Sequence, residues 1–259
     1  MESLEVEKAG GIATVTFHRP PVNALTRRVM HDLTTIFDGF ADDREVIVAV
    51  FRVVPDRAFV AGVDLNDVSG PDEESTPAAM TDRGKVAREM FRSIHECAVP
   101  VIAAVDKAAI GGGFALASCC DMIIATERAT FGMTEINMGL LGASSHLVRM
   151  LGPYRARDMF FTGRMATAAE LAAAGVIVRV VADPADLDAV ADEYARALAG
   201  KSPLALRLAK ESMNRTEDLP FQEGYRVEQD YTARMVTFED SAEARQAFFD
   251  KRDPVWKWR

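Results

Sequence analysis

The stretch 99–126, VPVIAAVDKAAIGGGFALASCCDMIIAT, limits the fold of this chain more than any other. Residues 99–105 are apolar and rich in β-branched side chains, the pattern of a strand buried on both faces. Gly111, Gly112 and Gly113 follow and open a small-residue run, FALASCC, that reads as a helix. The N–H groups at the start of such a helix have no intrahelical acceptor, so a side-chain-free turn there can hold an anion or a developing negative charge. A dinucleotide loop would need G-x-G-x-x-G with an acidic residue about 20 positions on. Here Leu116 stands where the third glycine belongs, and Asp121 comes too early. A tight strand-to-helix turn without chemistry is the other reading, and two further segments weigh against it.

In FVAGVDL, 59–65, an apolar run predicted as a strand reaches Gly62, which permits unusual backbone angles and the close approach of a ligand. Val63 then offers an N–H just before Asp64, a candidate helix N-cap. N–H donors from two separate turns, Val63 and Gly112, are what an oxyanion hole for a thioester enolate requires. In FGMTEINMG, 131–139, Glu135 is flanked by Met133, Ile136 and Met138. Apolar surroundings raise a carboxyl group's pKa and make it a competent proton carrier near neutral pH, although a solvated loop glutamate is the commoner fate of this residue type.

Five segments in this order, RPPVNAL (19–25), RAFVAGVDL (57–65), AAIGGGFALASCCDMIIA (108–125), FGMTEINMG (131–139) and AFFDKRDP (247–254), resemble the crotonase family, the enoyl-CoA hydratases and isomerases, over nearly the whole chain. The resemblance implies an α/β fold: a crotonase-like superhelix of repeated ββα units. Residues 1–200 would form the core with an acyl-CoA site, and 201–259 a helical region that builds trimers or dimers of trimers. It implies a thioester oxygen between the Val63 and Gly112 N–H groups, Glu135 as acid/base, and no cofactor beyond the coenzyme A of the substrate. CoA would lie along Arg57, Ala61 and Asp64, with Asp64 as a cap rather than a second acid. Phe248 and Lys251 match residues that reach the adenine and phosphate end of CoA, sometimes from a neighbouring subunit; an ordinary amphipathic helix, with Phe248 in a core, is the alternative.

The chain departs from that pattern in two places. Hydratases of the family carry a second glutamate two residues after the three glycines, and this chain has Ala115. A methyl group cannot carry a proton, so a single base favours double-bond isomerisation over two-carboxylate hydration. Where many relatives have a glycine-rich turn, this chain reads Ala143-Ser144-Ser145-His146. His146 either supplies the missing acid/base function or is a structural residue at a helix start. Hydration with Glu135, with or without His146, is therefore the second reading, and binding of CoA esters or partner proteins without turnover the third.

Composition narrows the partners. A net charge of −9 over 259 residues argues against a general nucleic-acid binder or an anionic membrane surface, so the phosphates of CoA would meet local basic residues such as Arg19, Arg27, Arg28, Arg57 and Lys251. No signal-type segment opens the chain and no run approaches a membrane span, which predicts a cytoplasmic protein. Cys97, Cys119 and Cys120 form no disulfide pattern, and His18, His31 and His95 no metal spacing. No G-x-S-x-G elbow is present.

Along the chain, alternation around Gly10-Gly11 predicts a hairpin, and Thr26 caps a helix running to Asp42-Asp43. Strands are expected at 46–53, 59–63, 99–105, 121–126 and 176–181. Helices are expected at 80–97, 144–152 and 153–161, from a Thr167/Glu170 capping box, and after the N-caps Asp183 and Ser202. Residues 69–78 read as a mobile acidic loop, and Trp256 and Trp258 as a docked tail or subunit contact.

Overall fold

The computed structural model describes residues 3–55, 57–69, 82 and 84–259, with the backbone alone at 68 and 69; most of the predicted acidic loop lies outside them. Nine strands occur among these: β1 (Leu4–Ala9), β2 (Ile12–Phe17), β3 (Val48–Val53), β4 (Val101–Val105), β5 (Ala108–Ile110), β6 (Met122–Thr126), β7 (Thr130–Gly132), β8 (Ala166–Thr167) and β9 (Ile177–Val181). They form a six-stranded sheet in the order β1-β2-β3-β4-β6-β9 and a three-stranded sheet in the order β5-β7-β8. The hairpin β1-β2 is antiparallel, as its two-glycine turn predicts, and every other pairing in the large sheet is parallel. Neighbouring parallel strands need crossovers, and these carry the helices.

The helices are α1 (Arg27–Gly39), α2 (Leu65–Ser69), α3 (Lys85–His95), α4 (Gly112–Cys119), α5 (Ser144–Thr162), α6 (Ala168–Ala173), α7 (Leu187–Ala199), α8 (Pro203–Thr216), α9 (Phe221–Met235) and α10 (Glu239–Asp250). The superhelix of ββα units is plain in the topology. β4 in the large sheet leads to β5 in the small one and then to α4; β6 leads to β7 and on to α5.

The central strands β3, β4 and β6 are largely apolar because both faces of the sheet are covered there. Ala49, Phe51, Val101 and Ala103 face one core, whereas Val48, Val50, Ile102 and Ala104 face a second under α7, where Leu187, Ala191 and Ala195 close it. Phe51 anchors the first core, its ring 5.5 Å from Phe59 and 6.4 Å from Phe37.

The predicted caps at Thr26, Thr167/Glu170, Asp183 and Ser202 all form. The two helices expected at 144–152 and 153–161 are the two arms of α5, which break where Gly152 leaves helical geometry at φ +70° ahead of Pro153. α1 ends at Gly39, short of the acidic stop, and the described part of the helix predicted at 80–97 is α3. The strand predicted at 59–63 is not one. It makes only isolated bridges, Val60 to Ala109 and Val63 to Leu25, because Gly62 at φ +105° breaks the extended run. Val60 nevertheless bridges to β5, so this segment stands as the vestigial second strand of the unit that β3 begins.

The helical C-terminal region is pinned to the core at α8. The buried Lys210 ammonium donates to Asp121 at 2.7 Å and to the Ile94 and Val99 carbonyls at 3.4 and 3.2 Å. Asp121 also accepts the Val101 N–H at 2.7 Å, so one carboxylate joins α8, the start of β4 and the end of α4. The tail docks as predicted: the Asp240 carboxylate, fully buried, accepts the Lys257 and Trp258 N–H groups, and the Trp258 ring lies 5.1 Å from the Arg207 guanidinium carbon. Lys210→Met leaves Asp121 without its cation while Asp121 stays partly exposed. The expected loss is about 3 kcal/mol of unfolding free energy, the lower end for a broken buried pair, read from urea denaturation.

Candidate active site

The site is built where the start of α4 meets the 59–63 segment backbone to backbone. A Cβ at Gly113 would lie 2.1 Å from the Val60 carbonyl oxygen, and one at Gly112 would lie 2.9 Å from Val63 Cγ2 and 3.5 Å from the Val63 amide nitrogen. Only glycines permit this contact. The 59–63 backbone is held from three sides: Leu25 N–H donates to the Gly62 carbonyl at 2.8 Å, Asp64 N–H to the Leu25 carbonyl at 2.8 Å, and Ile110 N–H to the Val60 carbonyl at 2.9 Å. Among the described residues neither the Val63 nor the Gly112 N–H meets a backbone acceptor. The two amides expected to act together thus belong to adjoining backbone segments, with a Cβ built on Gly112 only 3.5 Å from the Val63 nitrogen.

Glu135 closes the other side. It begins a 3₁₀ turn, Glu135–Met138, after β7, and the Gly111 N–H donates to the Gly132 carbonyl at 2.7 Å, tying that strand to the glycine turn. Gly111 has φ +53°, and a Cβ there would sit 2.3 Å from Glu135 Oε1; one at Gly142 would sit 3.6 Å from the same oxygen. The carboxylate therefore lies in a cradle of two glycines. Its Oε2 is buried with no hydrogen-bond partner. Burial raises the Glu135 pKa, against a smaller opposing effect of its own backbone N–H. A buried acceptor left unpaired in the free protein is a place for a ligand's proton.

Ala115 is fully buried one turn into α4, so no side chain there can exchange a proton. His146, in the first turn of α5, packs against α4 at Ser118, one turn beyond Ala115. Its Nδ1 is 3.0 Å from Ser118 Oγ and 3.7 Å from Cys119 Sγ, and its ring packs edge-on to Phe91 at 4.9 Å. Ser118 Oγ donates to the Ala115 carbonyl at 2.6 Å. Burial lowers the His146 pKa first, helped by the charges of Arg149 and His95, which keeps the ring neutral at pH 7. Sequence reasoning passed over Ser118, one small residue in a run of small residues; only its spacing of three from Ala115 hinted at a shared helix face.

The remaining candidates are distributed unevenly. Asp64 caps α2, accepting the Asn66 and Asp67 N–H groups at 3.2 and 3.4 Å, and pairs with Arg19 at 3.0 Å. Ala61 donates its N–H to the Val22 carbonyl at 3.2 Å, and Arg57 is exposed. Phe248 is 79% exposed, so it is no core residue; its ring meets Phe249 at 5.8 Å, and Lys251 ends α10 in the left-handed region. Cys97, Cys119 and Cys120 are buried and free, and burial pushes the Cys119 thiol up to about 12, so none of them is a nucleophile. Among the described residues no helix is long and apolar enough to cross a membrane.

Known proteins resemble this chain in sequence and in fold. Residues 7–259 match the enoyl-CoA hydratase/isomerase family. A carnitinyl-CoA dehydratase of Salmonella enteritidis is 36% identical, the alignment covering 100% of this chain and 99% of that protein. The enoyl-CoA hydratase of Bacillus anthracis superposes with a TM-score of 0.91 at 28% identity, over 99% of this chain and 100% of that one. An enoyl-CoA hydratase/carnithine racemase of Magnetospirillum magneticum superposes with a TM-score of 0.89 at 30% identity, over 100% and 97%. The chain belongs to the enoyl-CoA hydratase/isomerase family, the crotonases, and is an enzyme of that family.

Proposed function

We propose that this enzyme interconverts a 3-hydroxyacyl-CoA and the corresponding 2-enoyl-CoA by loss or addition of water. The observation that carries the reading is the orphaned Glu135 Oε2 beside the open Val63 and Gly112 donors. In the dehydration direction the Glu135 carboxylate removes the proton at Cα. The electron pair moves onto the thioester oxygen, where two preorganised N–H groups stabilise it, each worth roughly 2.7–4 kcal/mol of barrier. The enolate then expels the β-hydroxyl as water, which requires a proton delivered at that oxygen. Full-length similarity to carnitinyl-CoA dehydratases supports this outcome.

A second reading is double-bond isomerisation, which the buried Ala115 favours. Glu135 alone takes a proton from one carbon of the enolate system and returns it to another, and no water takes part. Both readings use protein groups and the thioester itself, with coenzyme A only as part of the substrate. Arg57 at the surface, the Ala61 and Asp64 backbone, and Phe248 and Lys251 on α10 form the proposed grip on CoA. The exposure of Phe221, Phe248 and Phe249 supports assembly as a homotrimer or dimer of trimers, in which α9 and α10 meet a neighbouring copy.

Proton NMR in D₂O separates the two reactions. Crotonyl-CoA is expected to yield 3-hydroxybutyryl-CoA with deuterium at C2; a 3-enoyl-CoA whose double bond migrates while crotonyl-CoA stays unhydrated would establish the isomerase instead. Glu135→Gln is expected to lower turnover by at least about 100-fold, as loss of a general acid/base does. The same variant is expected to unfold at higher denaturant than the wild type. A carboxyl whose pKa is raised by folding binds its proton more tightly in the folded state, so the wild type loses stability as pH rises from the ordinary glutamate pKa to the raised one. The stability gap between the two proteins should therefore widen across that window and be constant above it. Gly111→Ala drives a Cβ into Glu135 Oε1 and should abolish turnover while far-ultraviolet circular dichroism stays native.

A further inference from the structure

We propose that Ser118 is a positioning residue that fixes His146 as the Nδ1–H tautomer, and that the free Nε2 of His146 is the second proton-handling group of the dehydratase reaction, in the role left open by Ala115. This rests on the reading of the site given above. The tautomer follows from counting protons. Ser118 has one hydroxyl proton, and it is committed to the Ala115 carbonyl at 2.6 Å. Its oxygen therefore faces His146 Nδ1 as an acceptor at 3.0 Å, and Nδ1 must carry the proton. The neutral ring then presents an unprotonated Nε2 on the side away from Ser118.

The placement puts that nitrogen on the reacting side of the helix. Ala115 and Ser118 lie three apart on α4, so they share a face, and His146 packs against that face from α5. Helical side chains lean toward the N-terminus of their own helix, which for α5 is the Gly142 end. Gly142 in turn is 3.6 Å, measured from a Cβ built on it, from Glu135 Oε1. Phe91 fixes the ring from α3. Ser118 thus ties His146 to the face of α4 that carries Ala115, and Gly142 links the segment just ahead of α5 to Glu135.

In the hydration direction Nε2 takes a proton from water as the water oxygen bonds to Cβ. The C2–C3 π pair moves to make the enolate at the thioester oxygen, and protonated Glu135 then delivers its proton to Cα. The imidazolium and the Glu135 carboxylate return to their starting states by exchange with solvent, so one water is added and nothing else changes. Dehydration runs the same steps backward. The charged and titratable groups around the ring are Arg149 on its own helix, His95 on α3 and Cys119 on α4; the thiol is neutral and the first two hold the ring unprotonated.

The test uses the full-length enzyme, with crotonyl-CoA hydration and C2 deuterium exchange of butyryl-CoA measured together. Exchange reports Glu135 and the oxyanion donors alone, so the ratio of hydration to exchange isolates the second group. His146→Ala is expected to lower that ratio about 100-fold, the scale of general acid–base catalysis. It is also expected to remove the limb of the hydration pH profile that falls toward acid as His146 protonates. Ser118→Ala keeps the imidazole, and is expected to lower the ratio about 10-fold, as loss of an orienting partner does. Nitrogen-15 NMR of the ring should show Nδ1 protonated in the wild type and that preference lost in Ser118→Ala. An unchanged ratio in His146→Ala overturns the proposal while leaving the enolate site intact. Wild-type tautomer Nε2–H overturns the role of Ser118. Wild-type exchange without any hydration overturns the dehydratase reading and this proposal with it, whereas absence of both activities overturns the enolate site itself.

Discussion

The approach of the α4 N-terminus to the 59–63 backbone governs the rest of the molecule. With Gly113 against the Val60 carbonyl and Gly112 beside Val63, α4 approaches the other segment too closely to carry side chains of its own there. That contact sets the Gly112 backbone beside the Val63 amide, and neither N–H meets a backbone acceptor among the described residues. It also explains why the second strand of this ββα unit is reduced to isolated bridges. A regular strand there would turn the Val63 N–H into a ladder hydrogen bond and remove one donor from the site. Gly62 breaks the ladder at the residue where the donor is needed.

Stability and function are separated in this arrangement. Residues 101–105, buried on both faces, together with the Lys210–Asp121 lock, hold the two ends of the crossover that carries α4. The start of α4 and the Glu135 turn carry the unmet hydrogen-bonding groups, which lower stability. Asp121 is therefore part of the scaffold even though it follows directly on the chemistry-bearing helix, and its bond to the Val101 N–H closes the βα unit on itself.

Much of this was legible before any coordinates. Apolar runs at 48–53 and 101–105, the caps at Thr26, Thr167 and Ser202, and the glycine turn carry local signals strong enough to read. The pairing of Val63 with Gly112 and the part of Glu135 could be expected only because three motifs occur in order, and the two-glycine cradle around that carboxyl was not foreseen. Strands β5 and β7 were not legible, since three residues are too few to show a period, and 59–63 was read as a strand because its apolar character outweighed one glycine. Bonds between distant residues have no sequence signature at all: Lys210 to Asp121, Ser118 to His146, and the tail amides on Asp240. The last places Trp258 against Arg207, whose guanidinium holds the Phe40, Ala41 and Asp43 carbonyls at the end of α1.

Ala115 also changes the electrostatics of Glu135. Two carboxyl groups a few ångströms apart titrate as a coupled pair, with one pKa raised by the charge of the other. Here no second carboxylate contributes, and the rise at Glu135 comes from burial. Its charge state is then set by how much water reaches the glycine cradle. Any group that expels water from beside Gly111 and Gly142 raises that pKa further. With no second carboxylate beside them, Glu135 and His146 have their proton affinities set in opposite directions by the same cause: burial disfavours the charged form of each, raising the carboxyl pKa and lowering that of the imidazole.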